Sequence, residues 1–376
     1  MRKRGSVLAV GVLMAMLPAC SSSDGGSSQT TLDTTPATTT TVFQARHLTP
    51  VWSAETAQLI AVAFSPDGKY VATSGVGLSG NKPGALWDAE TGAALWTLDF
   101  APVASRPSFN RDSSLVMFLG VGGDAMVFDR STGAAFEVPS LDGANTNTAM
   151  FSPDGTDVVA GTTDGRVVLW DARTGEVRTT LTSSRDTVDW IGISPDGATI
   201  VGGALQGDAV IWDVATGKVR ATLTPEGGSL NQVAMSPDGA VIATAAATGK
   251  VQLWETAGGT LLGSLGDASV NAGALTFSPD GSRLAIDTFE ARSTLWDVPS
   301  RSLVADLGSA GYGTFSPDGT LMATTRTGIE TTFGLWDAVT GETLGTYDGS
   351  WVAFDPRGER IGVLTTTELT VFTIGS

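Results

Sequence analysis

Few side chains in this 376-residue chain could do covalent or metal chemistry. One His and one Cys cannot supply a zinc site built from those ligands, nor the two histidines of a facial iron site. Any disulfide would have to join two chains. His47 has no second His and no nucleophile motif beside it, so a Ser-His-Asp site has nothing to grow from. The run Gly75-Val76-Gly77-Leu78-Ser79-Gly80 has the spacing of a dinucleotide fingerprint. Lys82-Pro83-Gly84 and Leu86-Trp87-Asp88 follow it, so no helix N-terminus is there to hold a pyrophosphate. No catalytic residue, metal site or cofactor is therefore expected.

A second group of residues could bind rather than react. Trp190, Tyr312 and Trp351 carry aromatic surface. Arg106, Arg185, Asp186, Asp189, Glu290, Arg292 and Arg326 add charge of both signs. Aromatic and Arg enrichment is typical of interface centres. Paired carboxylates beside an aromatic also suit acid–base work on a sugar. Either use requires that residues spread over more than 200 positions converge, which depends on the elements that carry them.

Those elements repeat. Phe64-Ser65-Pro66-Asp67-Gly68 recurs with variations from Phe109, Phe151, Ile193, Met235, Phe277, Phe315 and Phe354, at spacings of 45, 42, 42, 42, 42, 38 and 39. A second motif trails it: Leu-Trp-Asp ending at Asp88, Asp171, Asp297 and Asp337, and Ile-Trp-Asp ending at Asp213. Looser copies are Val127-Phe128-Asp129, Leu253-Trp254-Glu255 and Val371-Phe372-Thr373. Periods near 40–45 mark four-stranded blades of a propeller. In each unit a short apolar run precedes the first motif, and Pro-Asp-Gly then turns the chain. Pro presets φ and Gly supplies positive φ. Two further strands and a half-exposed outer strand follow, lettered a to d from centre to rim. Evenly spaced on separate units, the turn aspartates read as turn residues rather than calcium ligands.

These linked motifs, from about Phe43 to Ile374, resemble the WD-repeat β-propeller family. The resemblance implies an all-β fold, a single propeller, with eight four-stranded blades expected and seven plus an irregular unit as the alternative. Family members often bury a His–Asp–Ser/Thr–Trp hydrogen-bond network. With no His in any repeat, that network cannot form here, and stability is expected from packing between blades and from the turns. The strand-c tryptophans (Trp87, Trp170, Trp212, Trp254, Trp296 and Trp336) are expected to fill the wedge between blades. Unit eight ends without an outer strand. Leu181, Leu223 and Leu265 end outer strands 12 residues before the next motif, and 12 before Phe64 lies Trp52, preceded by Leu48 and Val51. An N-terminal latch strand is therefore expected to close the ring, with Pro50 tolerated at its edge.

Ahead of the ring, Arg2-Lys3-Arg4, the apolar run Val7 to Met16 and Leu17-Pro18-Ala19-Cys20 form a secretory signal too short to span a bilayer. This resembles the lipobox of bacterial lipoproteins, which implies lipidation of Cys20; Pro18 departs from the usual pattern. The domains expected are a signal peptide at 1–19, a lipidated Cys and Ser/Thr/Gly-rich tether at 20–42, and a propeller at 43–376. Loss of Arg2, Lys3 and Arg4 takes the net charge from −17 to −20, which argues against nucleic acid.

The expected product is exported and lipid-anchored, at the outer face of the bacterial cytoplasmic membrane or in the cell envelope, with a monomeric body. Trp190, Tyr312 and Trp351 stand three residues before the first motif of their units, at the upper end of strand a. The loops joining d to a and b to c meet there. That face is expected to bind a protein or peptide as a non-enzymatic scaffold. The alternative is a carbohydrate-binding protein, or a hydrolase or lyase, using Asp186, Asp189 or Glu290 with Trp190.

Overall fold

The computed structural model describes residues 46–375 apart from 57–58, 76–83, 99–106, 121–124, 137, 140, 183–186, 206, 267–271, 289–291, 309–310 and 326–330. Cys20, the signal segment and the tether lie outside the described residues, as do Gly77 and Gly80 of the glycine run.

Every described strand is antiparallel to its neighbours, and strands pair in the order a–b–c–d within six units, with a–b–c in unit two and an N-terminal strand completing unit eight. The blades span 59–97, 108–129, 146–182, 190–223, 230–265, 272–306, 313–348 and, for the eighth, 351–374 together with 48–55. Eight apolar clusters fall one at each seam between successive blades. Leu364, Leu369 and Val371 pack against Leu59, Val62 and Val71 to join blade 8 to blade 1. The ring is an eight-bladed β-propeller, as the repeat count implied.

The latch forms as expected. Leu48–Glu55 pairs antiparallel with Glu368–Ile374, with Leu48 opposite Ile374 and Trp52 opposite Val371; the register slips between Pro50 and Trp52. Pro50 lies on the outer edge, where a missing N–H costs no ladder bond. The Trp52 indole N–H donates to the Ala89 carbonyl of blade 1 at 2.9 Å. Its ring lies where a Cβ on Gly92, at φ +73°, would come within 2.6 Å, so this turn must be Gly. Arg360 of blade 8 adds bonds to the Gly68 and Ala89 carbonyls at 2.7 and 2.9 Å.

The turns explain the repeated aspartates. In six units the Ser hydroxyl donates to the Asp two residues on, as Ser152 does to Asp154 at 2.6 Å, and accepts the N–H five residues on. In unit two, Asn110 replaces the Ser and Ser113 takes the Gly position at φ +61°. In unit eight, Asp355 replaces the Ser and accepts the N–H groups of Glu359 and Arg360.

Two expectations need correcting. Among the described residues blade 2 has three strands, and its outer segment is represented by a single bridge between Phe128 and Ala135. Pro139 stands there at the register of Leu181 and cannot donate to a ladder. The Trp network is also not wholly lost without His. Trp87, Trp254 and Trp336 donate to Thr73, Thr244 and Thr324 on strand b, at 3.0, 2.8 and 2.8 Å. Each Thr lies two residues beyond the Trp's cross-strand partner, so the pair survives as a diagonal contact. As wedge fillers, Trp170, Trp212 and Trp254 are buried, while Trp87, Trp296 and Trp336 are half-buried.

Candidate functional site

Strand a begins at the d–a loop, so residues just before the first motif reach the face where those loops meet the b–c loops. Trp190 opens strand a of blade 4, Tyr312 immediately precedes that of blade 7, and Trp351 opens that of blade 8. Blades 7 and 8 are neighbours. Tyr312 and Trp351 stack there, with centroids 5.4 Å apart and planes 21° from parallel. Tyr312 is 43% exposed, and Trp351 is half-buried against the cluster joining blades 8 and 1. Blade 4 is directly across an eight-membered ring from blade 8. Trp190 packs there, half-buried, against the cluster that includes Val201 and Val233. The fold therefore brings two of the three aromatics together and places the third on the opposite side.

The described charged residues of the set are engaged within the ring. Asp189 accepts from Asn147 of blade 3 at 3.0 Å, from the Thr187 hydroxyl at 3.0 Å and from the Leu205 N–H at 2.7 Å. Those bonds tie blade 3 to blade 4 and hold the b–c loop of blade 4. Arg292 makes two contacts to Asp306 of its own blade, at 2.6 and 3.3 Å. The guanidinium holds the Asp306 carboxyl below its usual range. Arg106, Arg185, Asp186, Glu290 and Arg326 lie outside the described residues.

Asp287 was not singled out from the sequence, yet it sits under the stack. It is buried on strand b of blade 6, accepts from the Ser293 hydroxyl and takes the Gly313 N–H at 2.8 Å. Gly313 follows Tyr312, so this carboxylate anchors the backbone that presents the ring. The sequence signal was an Asp inside an otherwise buried strand, Arg283–Thr288. Gly349, two residues before Trp351, has φ +149°, and a Cβ there would come within 2.3 Å of Val363. The stack is thus held from both sides by close backbone packing.

His47 lies elsewhere, exposed at the start of the latch. It borders a cavity of about 470 Å³ shared with Arg46, Phe333, Tyr347 and Asp348. Among the described residues no group of three or more His, Cys, Asp or Glu side chains could hold a metal ion.

The family model described as WD domain, G-beta repeat matches residues 47–80, 138–171 and 217–255. These matches cover less than a third of the chain and support its resemblance to WD repeats at these three places. Each matched WD40 segment starts at the outer strand or rim segment of one blade and runs into the next blade, two of them ending in its strand c. This stagger is why the last blade needs an N-terminal strand. No curated protein matches the chain. Among solved structures, the crystal structure of the computationally designed Ika8 protein is similar in fold. Its TM-score is 0.72 at 20% identity, covering 87% of this chain and 100% of that one.

Proposed function

We propose that the protein is a non-enzymatic scaffold that binds a protein or peptide through the d–a and b–c loop face. The Tyr312–Trp351 stack is the centre of that site. The observation that carries this reading is a stacked aromatic pair with one ring well exposed, beside backbone that Asp287 anchors through Gly313. Rigid, partly exposed aromatics offer large contact area at little entropic cost, and such residues dominate binding energy at interfaces. WD40 propellers commonly bind protein partners, which agrees in kind. The scaffold is anchored through lipid on Cys20 and works outside the cytoplasm; the signal-like segment and Leu17-Pro18-Ala19-Cys20 support this part.

Selection of displayed peptides on the purified chain, followed by titration of the winners, tests the site. Tyr312→Ala with Trp351→Ala is expected to weaken binding at least ~30-fold, since two hot-spot residues each contribute ~1–2 kcal/mol or more. Trp190→Ala is expected to leave affinity within about threefold. Binding unchanged in the double variant would sink the assignment. The anchor has its own test: Cys20→Ser is expected to move the exported protein from the membrane pellet to the soluble fraction, and pelleting as before would contradict it.

A further inference from the structure

Nine Asp–Gly pairs lie between residues 46 and 375; a tenth, Asp24–Gly25, lies outside the described residues. An Asp–Gly pair can rearrange without an enzyme, because glycine has no side chain to hinder attack of its backbone nitrogen on the preceding carboxyl. The reaction needs that nitrogen and that carboxyl free, so hydrogen bonds to either one suppress it.

Six of the nine pairs form the Pro-Asp-Gly turns between strands a and b. In each, the Gly N–H donates to the Ser carbonyl three residues back at 2.8 or 2.9 Å, and the carboxylate accepts the Ser hydroxyl. Gly165 donates to the Thr162 carbonyl at 3.3 Å, and Asp164 is engaged by Thr162 and Arg166. Gly349 donates to the Thr331 carbonyl at 2.8 Å. The ninth pair, Asp142–Gly143, differs. It forms the centre of a turn closed by the Ala144 N–H on the Leu141 carbonyl at 3.1 Å, with φ of +56° and +84°. Among the described residues the Gly143 N–H has no hydrogen-bond partner, and nothing lies within 4 Å of where its Cβ would stand. The Asp142 side chain is 86% exposed, and its carboxylate meets only the Arg166 guanidinium, at 3.7 Å.

We propose that Asp142 is a modification site, at which isoaspartate forms spontaneously. The Gly143 nitrogen gives up its proton and bonds to Cγ of Asp142, one water leaves with a carboxyl oxygen, and a five-membered succinimide forms. One water then adds back. Opening at the α-carbonyl leaves the main chain running through Cβ and Cγ with the α-carboxylate as a side group, so mass and formal charge are unchanged. No oxidant or cofactor takes part. The turn lies in the d–a connection between blades 2 and 3, where Arg166 also donates to the Leu141 carbonyl at 2.7 Å. One added main-chain carbon lengthens this part of the loop face, and the new carboxylate is a substrate for isoaspartate-specific methylation. The site is independent of the Tyr312–Trp351 stack, so failure of one proposal leaves the other standing.

The test holds the full chain for weeks near neutral pH, folded and in concentrated urea. Samples are labelled with an isoaspartate-specific carboxyl methyltransferase, and each Asp–Gly pair is read by peptide fragmentation in a mass spectrometer. In the folded chain isoaspartate is expected to accumulate at Asp142 at least ~10-fold faster than at any of the other eight, the worth of one or two hydrogen bonds. In urea, with those bonds gone, the nine rates are expected to converge. Asp142→Asn is expected to form the same isoaspartate faster, since ammonia leaves more readily than water, and Asp142→Ser to form none. Isoaspartate absent from residue 142, or formed there no faster than in the six Ser-bonded turns of the folded chain, overturns the proposal. So does the same preference for Asp142 in urea, which would assign the selectivity to neighbouring residues rather than to the fold.

Discussion

Asp171 shows what a single repeated residue does here. Its carboxylate accepts the N–H groups of Thr174 and Arg173 at 2.9 and 3.0 Å and an Arg178 guanidinium at 2.6 Å. Those donors, the Thr174 N–H first, lower its pKa to about 2. The Thr216 hydroxyl and N–H, with Arg220, lower Asp213 to about 2 as well. Asp154, Asp196, Asp238 and Asp280 are also held below the usual range, chiefly by the Ser hydroxyl two residues earlier. In each case the folded pKa is below the unfolded value, so unfolding takes up protons as the solution becomes acid. This stabilisation is present above pH ~4 and lost as pH falls towards 2. Asp157, raised by burial, works in the opposite sense but is one residue against many. The melting temperature is expected to stay level from pH 7 to 5 and drop steeply between about 4 and 2. Asp171→Asn should make that drop shallower. A flat acid profile measured by calorimetry would contradict this account of the turns.

Strands b and c illustrate how one element stabilises another. The Thr–Trp diagonal is readable from spacing alone, because the Thr lies eight residues after the turn Ser and the Trp ten or more beyond that. In blade 5 both partners are buried, Thr244 fully and Trp254 to 7% exposure. Thr244→Val keeps the shape and removes the acceptor, leaving a buried N–H unpaired. A loss of about 1–3 kcal/mol is expected from urea unfolding, with the denaturant slope unchanged. A loss under ~0.3 kcal/mol would show that the diagonal is incidental to packing. Where the Thr is absent, the sequence announces a missing partner but not the replacement. Trp212 and Trp296 found other acceptors, the Thr182 carbonyl and the Thr294 hydroxyl, and only the three-dimensional neighbourhood shows that Trp170 did not.

The molecule as a whole is a ring that has to close on itself, and closure rests on residues at opposite ends of the chain. Trp52 fills the seam over Gly92, and the latch supplies the outer strand of blade 8. Trp52→Ala removes a half-buried indole and its bond to Ala89. A cost on the order of 2–3 kcal/mol is expected, below the ~3–5 kcal/mol of a fully buried aromatic. Removing residues 46–55 exposes the edge of Glu368–Ile374, an unpaired strand open to other chains. Light scattering is expected to report association of that shortened chain at concentrations where the full chain stays monodisperse. If it remains monodisperse with an unaltered melting temperature, the ring closes by some other route.

Repeat period, turn chemistry and the staggered ends were enough, without coordinates, to reach an eight-bladed ring and its latch at Trp52. Each of those depends on local pattern or on counting, and the chain carries both in one dimension. The binding face was legible only as a class of position, the residue three before each first motif. Tyr312 and Trp351 could be named from the sequence. That Trp190 lies across the ring follows from unit order once the ring has eight blades, but that Tyr312 and Trp351 stack, at 5.4 Å, depends on how the two rings are turned towards each other, which no linear spacing encodes. The Asp142 turn was hidden for a related reason. Nine Asp–Gly pairs between residues 46 and 375 read alike in one dimension. Whether a glycine N–H meets a carbonyl is decided by how the chain folds back around it, so the difference at Gly143 exists only in the folded ring.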